Sequence, residues 1–148
     1  MKTIIKLMKG CYCLIIEVDT SKNLKIGKNL KTEFKKGYYV YIGSAMNGLK
    51  SRVKRHLSKS KKLHWHIDYL LKYFKVKEVI YNVDEKVECE ISKELSKNNE
   101  YVENFGCSDC NCNSHLYYFK NRKEAIDEVI NAYNTIACPF KIGISDFS

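Results

Sequence analysis

Tyr12 and Tyr41 each lie in an apolar run beside a glycine, as Gly10-Cys11-Tyr12 and Tyr41-Ile42-Gly43, and the second run opens onto a basic segment carrying Arg52 and His56. A spacing of four residues puts the last two side chains on one face of a helix. Such a guanidinium is a planar, permanently charged fork that matches phosphate, and an imidazole beside it can bind or pass a proton. With a phenolic hydroxyl at a strand end and a later carboxylate holding a magnesium-type ion through waters, the parts suffice for phosphoryl transfer. Cleavage of a phosphodiester is the chemistry this order of residues suits.

A second constellation lies further along. His64 and His66 are two apart, and Cys107, Cys110, Cys112 and His115 share one nine-residue span. Both residue types ligate zinc in tetrahedral sites. Only a Cys-x2–4-Cys pair such as Cys107/Cys110 has the spacing of a zinc-knuckle half, and no second half of equal spacing exists. Two readings stay open, a zinc site and a wall of buried thiols and histidines beside the phosphodiester site. Asp109, between the cysteines, is either a cap at a turn or a further member of the site.

These residues need elements to hold them. Gly10–Val18 is rich in β-branched and aromatic residues and stops at the turn cluster Asp19-Thr20-Ser21, which predicts a buried strand. A hairpin over residues 24–35 turning near Asn29 separates it from a second strand, Tyr38–Gly43. Leu49, Val53 and Leu57 recur every four residues, as the apolar stripe of a helix does. Trp65–Phe74 reads as a short helix, Lys75–Val83 as a third strand, Glu85–Lys97 as an amphipathic helix and His115–Phe119 as a strand. Asn121 followed by Glu124 is a cap signature for a helix over Arg122–Asn134, with Ala125, Val129 and Tyr133 inward. The last ten residues carry no clear pattern.

The composition narrows the partners. At 148 residues the chain fits a single domain, core over residues 10–119 and C-terminal helix over 121–134, able to bury roughly two-thirds of its unfolded surface. Lys+Arg exceed Asp+Glu by 26 − 17 = 9, and no acid lies between Glu33 and Asp68, where nine bases fall within Lys35–Lys62. A local field of that sign suits a polyanion, with Lys50, Lys54, Arg55 and Lys59 as the contacts and DNA as the leading partner. Seven cysteines without a secretory signal peptide point to a reducing cytoplasm. No apolar stretch approaches the ~20 residues that span a bilayer.

The ordered segments also resemble the GIY-YIG nuclease superfamily. They are Gly10-Cys11-Tyr12, Gly37-Tyr38-Tyr39-Val40-Tyr41-Ile42-Gly43-Ser44-Ala45, Arg52 with Arg55-His56, His64-Trp65-His66-Ile67-Asp68-Tyr69-Leu70, Glu88-Cys89, Phe105-Gly106-Cys107-Ser108-Asp109-Cys110 and Ser114-His115-Leu116. They are most similar to a small uncharacterised branch of it, domain of unknown function 123, sometimes fused to an endonuclease III-like repair enzyme. The resemblance implies an α/β (α+β) fold, a small antiparallel sheet of about three core strands flanked by helices. The long stretch between the two tyrosines then holds an inserted hairpin. It implies Tyr12 as general base, Tyr41 lining the site, Arg52 and His56 on the scissile phosphate, and Glu88, with Glu90 as competitor, holding Mg2+ or Mn2+. The expected function is a metal-dependent endonuclease on DNA or structured nucleic acid, in repair. The alternative is an inactive nucleic-acid-binding module working with a DNA-repair protein.

Overall fold

The computed structural model describes residues 8–27, 30–59, 61–107 and 110–148. Strand β1 (Gly10–Val18) is its centre. Tyr12, Leu14, Ile16 and Val18 enter one apolar cluster, and Cys11, Cys13 and Ile15 enter a second cluster across the sheet. A strand covered on both faces has no reason to alternate with polar residues, which accounts for its unbroken apolar run. Each fully buried aliphatic side chain here contributes about 1.5–3 kcal/mol.

Strands β2 (Lys22–Ile26) and β3 (Leu30–Phe34) follow as a separate antiparallel pair. This is the hairpin expected between the two tyrosine elements; Asn29, placed at its turn, lies outside the described residues. Leu24, Ile26 and Phe34 tie the pair into the first cluster. Strand β4 (Gly37–Ala45) returns alongside β1 over its whole length, and β5 (Lys75–Val83) pairs with the other edge of β1.

Those three core strands acquire two short edges, β6 (Leu116–Phe119) and β7 (Lys141–Ile142), in the order β6-β4-β1-β5-β7. Every neighbouring pair is antiparallel. Strand β7 and a 3-10 turn at Ile144–Phe147 come from the C-terminal segment that has no sequence pattern. Tertiary contacts hold that segment: the Phe147 ring lies 4.9 Å from that of Tyr81, whose hydroxyl donates to Asp146 Oδ2 at 2.7 Å.

Among the described residues, four α-helices cover the sheet. Helices α1 (Leu49–Leu57) and α2 (His66–Leu71) bury Leu49, Val53, Ile67 and Leu70 in the first cluster. Helices α3 (Glu88–Ser96) and α4 (Arg122–Thr135) bury Ile91, Leu95, Ala125, Val129 and Tyr133 in the second. The cap of α4 is as its sequence predicts, Asn121 Oδ1 accepting from the Glu124 N–H at 2.8 Å. Helix α2 is shorter than its apolar spacing predicts, because the N–H groups of Tyr73 and Phe74 both turn back to the Leu70 carbonyl and launch β5. Among the described residues no helix is long and apolar enough to cross a membrane.

Candidate active site and metal centre

The two tyrosine-glycine elements face each other across β1 and β4, with Tyr12 directly opposite Gly43. A Cβ on Gly43 would sit 2.5 Å from both Cζ and the hydroxyl of Tyr12, so the glycine is the space in which the Tyr12 ring lies. A Cβ on Gly10 would come within 2.0 Å of the Asn82 carbonyl oxygen on β5. The glycines therefore let three backbones and one ring approach more closely than any side chain allows.

Helix α1 crosses that face of the sheet and brings His56 to the tyrosine, with Nε2 2.8 Å from the Tyr12 hydroxyl. Both residues are buried, 1% and 2% exposed, so neither form of either group is well solvated. Burial, reinforced by nearby Tyr41, pushes the Tyr12 hydroxyl well above its ordinary 10, and Arg52 opposes the rise. Burial, aided by Arg52, Arg55 and Lys61, pushes the His56 imidazole down to about 3. The ring is therefore neutral near pH 7, with one nitrogen lone pair open and a proton affinity that burial holds low. Its Nδ1 is the one buried side-chain polar atom without a hydrogen-bond partner among the described residues.

Tyr12, Tyr41, Arg52 and Glu88 line one cleft of about 490 Å³. It opens where β6 stops: pairing with β4 ends at Tyr41, and beyond it the Ile42 N–H reaches across to the His115 carbonyl. Glu88 stands at the start of α3 and accepts from the Ser44 hydroxyl at 2.9 Å, while Glu90 is solvent-exposed and does not line the cleft. Burial pushes Tyr41 upward as well, with Glu88 adding to the rise.

Arg52 is oriented from two sides. It donates to the Ser44 carbonyl at 3.2 Å, and its Cζ lies 4.6 Å from the centre of the Trp65 ring. Arg55 lies 4.4 Å from the same ring and donates to both oxygens of the fully buried Asp68, at 2.8 and 3.0 Å. Asp68 also accepts the N–H groups of His64 and Trp65, closing the first turn of α2. Burial alone would raise the Asp68 carboxyl, but the bonds from Arg55, Trp65 and His64 hold it below its ordinary value. Of the four bases read as polyanion contacts, Arg55 is thus engaged, while Lys50, Lys54 and Lys59 form no ion pair among the described residues.

The cysteine-rich segment forms a second centre. Cys89, Cys110, Cys112 and His115 bring one donor atom each within 4.8 Å of one another, a Cys3His group that can hold a metal ion. Sequence reasoning missed Cys89, which the chain spacing separates from the other three and only the docking of α3 delivers. His64, His66 and Cys107 stand outside the four. Both histidines line the cleft, with Nδ1 of His66 accepting the Gly106 N–H at 3.1 Å, and the Cys107 thiol donates to the Phe105 carbonyl at 3.3 Å. Asp109 lies outside the described residues. Ser44, Trp65 and Asp68 were also missed as functional residues, although all three fall inside the segments that carry the resemblance.

A family model described as a domain of unknown function, DUF123, matches residues 11–138. No curated protein and no solved structure matches the chain. The matched span contains both tyrosines, the α1 pair, Glu88 and all four members of the Cys3His group.

Proposed function

The chain belongs to the DUF123 family, and from that premise we infer that it is a metal-dependent endonuclease acting on phosphodiester bonds in DNA or structured nucleic acid. The observation that carries the reading is the 2.8 Å contact between the Tyr12 hydroxyl, which lines the cleft with Arg52 and Glu88, and a neutral His56 buried behind it. As a water attacks phosphorus, its proton passes to the Tyr12 oxygen while the Tyr12 proton moves to His56 Nε2. A phosphorus–oxygen bond forms and the bond to the leaving oxygen breaks. A phenol with a raised pKa makes a poor free base, and the relay to His56 requires the bound phosphate to offset Arg52, Arg55 and Lys61, which help hold the imidazole's proton affinity low.

Arg52, fixed by Ser44 and Trp65, offers its fork to the nonbridging oxygens, whose charge grows in the transition state. The residues present fit a divalent ion of the magnesium type, for which one carboxylate and several waters suffice, and Glu88 is the half-buried carboxylate aimed at the cleft. When bound, Mg2+ or Mn2+ would stabilise the departing oxygen. Ser44 holds the Glu88 carboxylate in place for it.

The test is cleavage of plasmid and branched DNA with Mg2+ or Mn2+ titrated. Arg52→Ala and Glu88→Ala should each lower the rate by at least about a hundredfold with circular dichroism unchanged. Full activity in either variant overturns the mechanism. The near-complete burial of Tyr12 and His56 favours a second reading, a binding module without hydrolysis. That module would show salt-dependent DNA binding and no product at any metal concentration, in the wild-type chain as well.

A further inference from the structure

We propose that Cys89, Cys110, Cys112 and His115 form a closed, structural zinc site, separate from the divalent ion read at Glu88. Tetrahedral zinc with bonds of ~2.3 Å to sulfur and ~2.0–2.1 Å to nitrogen needs donor atoms on the order of 3.5–3.8 Å apart. The four donors already lie within 4.8 Å of one another, and His115 Nε2 is 3.1 Å from Cys110 Sγ. Little movement is needed to seat the ion.

The imidazole is prepared for that role by α3. Ser92 follows Cys89 by three residues on the helix, so both project toward the cysteine loop. The Ser92 hydroxyl lies 2.8 Å from His115 Nδ1; accepting the Nδ1–H leaves the Nε2 lone pair facing the three sulfurs. The Tyr117 hydroxyl donates to the carbonyls of Ser92 and Ser114 at 2.8 and 2.9 Å, which clamps the same turn of helix to the loop before β6. His115 is buried and the three cysteines are half-buried, so the site is sheltered without being sealed from an entering ion.

Donor chemistry selects the metal. Three thiols and one imidazole are soft to borderline ligands that favour zinc over magnesium or calcium, and zinc entry releases one proton from each thiol. Four protein ligands leave no open position for water or substrate, which is the signature of a structural site. The ion joins the first turn of α3 to the loop at residues 110–115, and Glu88, the neighbour of Cys89, stands on that turn. Zinc thus fixes one wall of the cleft. The assignment rests on the four donors and their supports, and not on the nuclease reading; a chain that cuts nothing yet carries zinc leaves it intact.

The test uses the whole chain, purified without chelator under reducing conditions from zinc-supplied medium. Elemental analysis should find one zinc per chain. Replacement by Co2+ should give the intense visible bands and thiolate charge transfer of a tetrahedral three-sulfur site. Cys89→Ser and Cys112→Ser should each lose most of the metal, while Cys107→Ser and Cys138→Ser keep it. Wild-type protein without zinc, iron in its place, or an octahedral cobalt spectrum overturns the proposal without recourse to any variant. Loss of metal in Cys107→Ser as complete as in Cys112→Ser overturns the ligand assignment.

Discussion

Burial holds the His56 imidazole down, from 6.5 to about 3, so the unfolded chain takes up that proton at a higher pH than the folded chain does. Its contribution to stability is complete above pH 6.5 and drains away as pH falls toward about 3, by up to about 1.4 kcal/mol per pH unit. Asp68 acts in the same direction at more acid pH, because Arg55 and two backbone N–H groups hold its carboxyl below 3.8 against the effect of burial. Chemical denaturation followed from pH 7 to pH 4 should therefore show a steady loss in the wild-type chain and a much flatter course in His56→Phe. Parallel slopes in the two proteins would mean that His56 is not the group responsible. The residue types were plain in the sequence, but the neutral state of His56 was not, since it follows from the rings and cations that packing assembles around it.

Between strands, the relation of Tyr12 to Gly43 sets what the elements must do. Register places them opposite each other, and the ring of one occupies the space where a Cβ of the other would be. Gly43→Ala should displace the Tyr12 ring, lengthen its contact with His56 and lower cleavage sharply, while DNA binding stays within about twofold. Measuring both on one preparation checks this; unchanged cleavage would show that the ring position is not critical. Periodicity predicted β1, β5 and α4 closely, because each carries a complete apolar pattern or a cap. It missed β7 and the 3-10 turn, whose few residues are ordered by Tyr81 and Val79 of β5 rather than by their own sequence. The shortening of α2 likewise comes from hydrogen bonds at Leu70, which apolar spacing does not register.

Over the whole molecule, the net charge of +9 and the acid-free stretch ahead of Asp68 suit a polyanion, and the fold sorts the bases within that stretch. Lys35 pairs with Glu100 and Arg55 with Asp68, while Lys50, Lys54 and Lys59 on and just after α1 remain without an ion pair among the described residues. Replacing those three by glutamine should weaken DNA binding to a similar degree for all sequences and reduce the slope of log K against log salt by about two to three. An unchanged slope would move the binding surface elsewhere. The amino-acid sequence by itself determined the sheet's central strands, the paired glycines, the α1 pair and the sign of the charge, since each is a local pattern of residue types. Only the tertiary structure decided that Glu88 rather than Glu90 faces the cleft, that Arg55 is committed to Asp68, and that Cys89 joins Cys110, Cys112 and His115. Those outcomes depend on how α3 and α1 dock on opposite faces of one sheet, and docking places side by side residues whose distance along the chain carries no sign of it.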